Sequence, residues 1–240
     1  MILHTCGDSF TYGFTLDDKT KSWPFILYKK LNCSELKNYA LPGGSNLRSI
    51  RKLYNANLQE NDIVIVSMSI ADRFEFGVNK NSDIQKNNKY LIEENKQYEL
   101  GNYLEIDENI ITKRFFSQMK NRCVDKRLKN LSDLLYKDFY NQEWFDEIFR
   151  IQYWSLINLF ERKKVNWLLF NTWCPSLLTT PTWRNEIENK KYIFGINDNA
   201  NNFLIKKYGK QVLNEHSYWN YFGHEKISSI LFDCYKKIYE

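Results

Sequence analysis

Short apolar runs that stop at glycine or polar turns alternate, in the N-terminal part of the chain, with amphipathic stretches. Ile2-Leu3-His4-Thr5-Cys6 is mostly apolar or β-compatible and halts at Gly7, which predicts a buried strand running into a tight turn. Ser22-Trp23-Pro24 supplies an N-cap and an early proline, and Phe25, Ile26, Tyr28 and Leu31 keep helical spacing, so a helix is expected from about Trp23 to Leu31. Leu36-Lys37-Asn38-Tyr39-Ala40 reads as a second strand closed by Pro42-Gly43-Gly44, after which Ser45 caps a helix carrying Leu47, Ile50, Leu53 and Tyr54. Asp62-Ile63-Val64-Ile65-Val66-Ser67-Met68 is the clearest strand, a continuous run of the kind buried on both faces of a parallel sheet.

The stretch from about Arg73 to Asp125 is rich in Asn, Lys and Glu and reads as an insertion with little regular structure. From about Asp125 to Lys163 the pattern turns helical, with Ile151, Trp154, Ile157, Asn158 and Leu159 marking one mostly apolar side. Val165 to Phe170 reads as a fourth strand and Tyr192-Ile193-Phe194 as a short fifth, while Ile227, Ile230, Leu231, Cys234 and Ile238 predict a C-terminal helix. Strand and helix in alternation predict an α/β fold with a central parallel sheet of about five strands and right-handed crossovers.

Composition narrows the class. Of 240 residues, 43% are apolar, 16% aromatic and 26% charged, which fits one core and a single domain over residues 1–240. No run approaches the roughly 18 to 20 apolar residues that a membrane span needs, and Asp8 comes too soon for a signal peptide. A leaderless, cytoplasmic protein with no membrane partner is expected, or a virion-associated one if the gene belongs to a phage. The excess of Lys over Arg and the many Asn match the coding bias of AT-rich genomes, including those of some bacteria and their phages. Cys6, Cys33, Cys123, Cys174 and Cys234 are odd in number and widely spread, which suits a reducing compartment and argues against a metal site. The net charge of +5 is interleaved, as in Glu93-Glu94-Asn95-Lys96, so a nucleic-acid partner is not expected.

Ser9 falls just past the first strand. A serine hydroxyl is a poor nucleophile near neutral pH and needs a base within reach and donors aimed at the oxyanion. Histidine is the usual base, and the chain holds His4, His216 and His224. His4 lies mid-strand, where a structural role is expected. Loops after the C-termini of parallel strands gather on one edge, so Ser9 and the segment from Asn214 to His224 are expected to meet there.

Gly7-Asp8-Ser9-Phe10-Thr11-Tyr12-Gly13 resembles the first block of the SGNH/GDSL hydrolase family. The resemblance implies a flavodoxin-like three-layer α/β/α sandwich with an insertion after the third strand, Ser9 as nucleophile, and Asp8 as organiser of the oxyanion loop. Asn38 to Asn46 resembles the second block and implies Gly43, with Gly44 next, as the source of an oxyanion-binding N–H. Taken alone, the same segment reads as a strand-to-helix turn that needs glycine for backbone reasons. The third block's asparagine is absent and Ser69 stands in its place. Some phage and bacterial members look similar in having a hydroxyl residue there followed by Arg and Glu, which draws Ser69, Arg73 and Glu75 to the border of the site. The plainer reading makes Arg73 and Glu75 a surface pair.

Asn214-Glu215-His216-Ser217-Tyr218-Trp219-Asn220-Tyr221-Phe222-Gly223-His224 is similar in texture to the family's last block, in one of two registers. With Trp219-Asn220 and Gly223-His224 aligned, the family's catalytic histidine falls on Tyr218 and its aspartate on His216. With His216 as base, the loop is two residues longer and Glu215 or Asn214 stands near the acid's place. A tyrosine, with an ordinary pKa of about 10, cannot readily take a serine proton at pH 7. That favours His216, leaving His224 to cap the last helix and Asp198 or Glu215 to orient the base. The resemblance implies acyl-ester hydrolysis, with Ser69 or Asn46 as further oxyanion donors and with no metal or organic cofactor. An acylated small molecule or a glycan ester is the expected partner, the latter if Trp173, Trp183, Tyr218, Trp219 and Tyr221 stack on sugar rings. Acyl transfer is a variant of the same chemistry. A different class, a structural or glycan-binding module of a phage particle, follows if the altered third and last blocks mean lost catalysis. The sequence leaves the oligomeric state open.

Overall fold

The computed structural model describes residues 1–69, 73–77, 105–107, 110–114, 130, 134, 141–172, 191–194 and 199–240. In chain order its strands are β1 (Ile2–Cys6), β2 (Glu35–Asn38), β3 (Ile63–Met68), β4 (Arg73–Gly77), β5 (Glu105–Asp107), β6 (Ile110–Arg114), β7 (Asn166–Asn171) and β8 (Tyr192–Ile193). Five of them form one sheet in the order β2-β1-β3-β7-β8, and every neighbouring pair is parallel. β3 lies at the centre and all six of its residues are buried. This explains its unbroken apolar run, because helices cover both faces.

The helices are α1 (Ser9–Tyr12), α2 (Trp23–Lys30), α3 (Asn46–Asn55), α4 (Gln142–Lys163), α5 (Ala200–Tyr208) and α6 (Tyr221–Tyr239). Alternate residues of β3 point to opposite sides, as the strand period of two requires. Val64, Val66 and Met68 join one core with Leu53 of α3 and Phe145, Phe149, Tyr153, Leu156 and Phe160 of α4. Ile63 and Ile65 join the other, with Trp23 and Leu27 of α2, Leu204 of α5 and Ile227 and Leu231 of α6. The result is an α/β/α sandwich with helices on both faces. The chain runs from β1 outward to β2 and then back across β1 to β3, so the topological switch point falls between β1 and β3.

Three expectations need correction. The stretch after β3 is not without regular structure: β4, β6 and β5 pair antiparallel in a second sheet. Phe74 and Phe76 alternate with Arg73 and Glu75 in β4, and the run Ile110-Ile111 opens β6, a short strand signal that the surrounding Asn and Lys obscure. On α3, Leu47 and Tyr54 are 37% and 47% exposed, whereas Asn46, Arg48 and Ser49 are buried. On α4, Ile151 is 56% exposed and the buried side runs through Phe145, Phe149, Gln152, Tyr153, Leu156 and Phe160. α5 is an element the periodicity did not indicate.

Candidate active site

The turn after β1 is built around Gly7. Its φ of +152° suits glycine, and a Cβ there would lie 2.3 Å from Thr11 Oγ1 and 3.0 Å from Ser67 Cβ. With no side chain at Gly7, β1 can turn sharply beside the end of β3 and pass directly into α1. Asp8 caps α1, its Oδ1 accepting from the Phe10 N–H at 3.1 Å, so Ser9 is the first helical residue and is only 5% exposed.

The loop after β2 is fastened to this turn. The Leu41 N–H donates to Gly7 O at 3.2 Å and the Gly44 N–H to Leu41 O at 2.9 Å. A Cβ on Gly44 would sit 3.0 Å from both Gly7 O and Leu41 O, closer than side chains ordinarily pack against backbone, so this approach favours glycine. From the third side comes Arg73, the first residue of β4. Its Nη1 lies 3.2 Å from Asp8 Oδ2 and donates to Gly44 O at 3.0 Å. Both charges of the pair are buried, and removing one partner of such a pair typically costs about 3–5 kcal/mol. Arg73 is therefore an interior ion-pair partner and not half of a surface pair on a solvated loop. Glu75 lies in β4 opposite Thr112, its side chain outside the described residues.

Among the described residues, no acceptor takes the backbone N–H of Ser9 or of Gly43, whereas that of Gly44 is committed to Leu41. Asn46 is no free donor either. Its Oδ1 accepts from the Ser69 N–H at 2.7 Å, and its Nδ2 donates to Ser69 O and to Gln152 Oε1, each at 2.9 Å. This amide fastens the loop after β3 to α3 and α4, which corrects the expectation that it serves an oxyanion. The Ser69 hydroxyl is buried and, among the described residues, has no hydrogen-bond partner.

The histidines separate cleanly. His4 is fully buried, with Nδ1 3.3 Å from the Tyr39 hydroxyl and Nε2 3.4 Å from Asp62 Oδ2. Burial pulls its pKa down, partly opposed by Asp62. His224 is also buried, and its Nδ1 accepts from the Trp23 N–H at 3.3 Å. Desolvation, with a smaller contribution from Lys19, lowers its pKa to about 3. It caps the start of α2, where Ser22 makes no side-chain cap because its hydroxyl donates to Lys19 O. The last helix is capped by Asn220, so the expectation that His224 caps it is corrected.

His216 has a side chain 53% exposed, with Nε2 3.4 Å from Glu215 Oε1. Among the described residues no hydrogen bond joins it to Ser9. It rides on a closed turn: the Asn214 N–H donates to Tyr218 O at 2.8 Å, and Asn214 Oδ1 accepts from the N–H groups of His216 and Tyr218, each at 3.0 Å. The Tyr218 ring stacks on Phe10, the residue after Ser9, at 5.0 Å between centroids, and also meets Phe14 at 5.7 Å. Tyr218, on which one of the two registers places the family's catalytic histidine, thus packs beside the serine turn.

Trp219 is fully buried, its Nε1 donating to Asn201 Oδ1 at 3.1 Å, so it is a core residue and no sugar platform. Tyr221 is exposed. Asp198, Trp173 and Trp183 lie outside the described residues. Two contributors carry no signal in the sequence. Gln152 approaches Asn46 from α4, and Lys19 Nζ holds the carbonyls of Gly13, Phe14 and Leu16 below α1. Among the described residues there is no group of three or more His, Cys, Asp or Glu able to hold a metal ion, and no helix is long and apolar enough to cross a membrane.

Fold and site together define an α/β protein with a buried serine where the chain leaves its first strand, at the switch point of a parallel sheet. No family model and no curated protein matches the sequence. Solved structures similar to this chain over nearly its whole length include a G-D-S-L family lipolytic protein from Veillonella parvula DSM 2008, at 12% identity, covering 100% of this chain and 98% of that one with a TM-score of 0.47. TesA is similar at 9% identity, covering 99% of each chain with a TM-score of 0.49. The psychrotrophic esterase EstA from Pseudoalteromonas sp. is similar at 10% identity, covering 98% of this chain and 97% of that one with a TM-score of 0.48.

Proposed function

We propose that this chain is an SGNH-type acyl-ester hydrolase with Ser9 as nucleophile. The observation that carries this reading is the pairing of a serine on the turn at the switch point with N–H groups at Ser9 and Gly43 that no acceptor takes among the described residues. Ser9 Oγ attacks the ester carbonyl, and those two N–H groups, with the Ser69 hydroxyl, receive the charge that develops on its oxygen. The leaving alcohol departs, and water then cleaves the acyl-serine. His224 is enclosed and serves as an acceptor for Trp23, so His216 is the C-terminal imidazole with access to solvent. To take the serine proton it must turn away from Glu215, toward the site, when substrate binds. An acylated glycan is the proposed substrate, with Tyr218 and Tyr221 as the stacking rings.

One observation favours a second reading, in which the fold serves as a structural or glycan-binding module. The ring stacked beside Ser9's helix is Tyr218, and no imidazole is bonded to Ser9 among the described residues. Hydrolysis of p-nitrophenyl acetate by wild type, Ser9→Ala and His216→Ala separates the two. Under the esterase reading Ser9→Ala falls to the buffer rate and His216→Ala loses about 100-fold or more, the usual worth of a general base. Equal rates for wild type and Ser9→Ala would leave only the second reading.

A further inference from the structure

We infer that Arg73 is a positioning residue for the oxyanion-binding loops, an assignment that rests on the esterase reading. Among the described residues one nitrogen, Nη1, makes both of its side-chain contacts, to Asp8 Oδ2 and to Gly44 O. Asp8 uses its other oxygen to cap α1 at Phe10, which fixes how Ser9 enters the helix. Gly44 closes the turn that presents the Gly43 N–H, and that turn's other end is bonded to Gly7. A single buried guanidinium thus sets the spacing between the two N–H groups that receive the oxyanion. It contributes no atom to the reacting centre. Arg73 is also where β4 begins, so the accessory sheet of β4, β6 and β5 is tied to the catalytic loops through this side chain.

Because one nitrogen does both tasks, the planar fork that usually makes arginine irreplaceable is not needed here, and a lysine ammonium with three donors can take over. A methionine of similar length cannot. In steady-state assays on p-nitrophenyl acetate, Arg73→Met is expected to lower kcat by about 100-fold with KM little changed, the scale of a misplaced oxyanion donor. Arg73→Lys is expected to recover most of that loss. The backbone amide resonances of Phe10 and Ser45, the groups bonded to or following the Arg73 partners, should move in Arg73→Met and return in Arg73→Lys. An unchanged kcat in Arg73→Met, equal losses in both variants, or unmoved resonances would overturn the assignment. If the wild type hydrolyses no ester, the esterase reading fails on its own, and the resonances still decide whether Arg73 sets the loops.

Discussion

Lowering the pH from 7 to 5 tests what holds His224 in place. The imidazole is buried and accepts from the Trp23 N–H, and its pKa is lowered to about 3. In the unfolded chain the group protonates near its ordinary value of about 6.5. Below that pH the unfolded state therefore binds a proton that the folded state refuses, and stability must fall as pH falls, until the folded pKa is reached. The slope approaches about 1.4 kcal/mol per pH unit for one proton, so about 2 kcal/mol is lost between pH 7 and pH 5 from His224 alone. His4, whose pKa is also lowered by burial, adds to the loss with the same sign. Urea unfolding at fixed ionic strength across this range measures it, in a window above that in which carboxylates ordinarily titrate. His224→Gln is expected to remove the His224 share and leave the shallower slope due to His4. A wild-type stability flat from pH 7 to pH 5, or a slope undiminished in His224→Gln, would refute a neutral, enclosed His224.

Two further substitutions test the site's construction. Asn46→Ala should lower stability by about 3 kcal/mol, because it leaves the Ser69 N–H, Ser69 O and Gln152 Oε1 without their partner; a urea midpoint implying a loss below about 1 kcal/mol would show that Asn46 is not a strut. With His216 as the base, Tyr218→His, which puts an imidazole beside Phe10, should not raise p-nitrophenyl acetate turnover above wild type. A Ser9-dependent rise of about tenfold or more would place the base at position 218 and not at His216.

The parts of the fold legible in the sequence were those fixed locally. β1 stops at Gly7 and α3 starts at its Ser45 cap because turn and cap chemistry act over a few residues. β3 was legible because a strand covered on both faces has no polar positions to confuse the reading. The buried face of α3 was not legible, because Asn46 is made tolerable in the interior by partners 23 and 106 residues away. The same limit applies to the site. Asp8 and Ser9 could be read from their motif, but the Arg73 clamp spans 65 residues to Asp8. The orientation of His216 depends on how the turn from Asn214 to Tyr218 closes, and the side chain of Asn214 decides that.

The most direct test is covalent. Intact wild-type protein treated with diisopropyl fluorophosphate should gain one phosphoryl adduct, located by peptide mass spectrometry on Ser9 and absent from Ser9→Ala. An unlabelled wild type, or an adduct that persists in Ser9→Ala, would contradict a reactive serine at the end of β1.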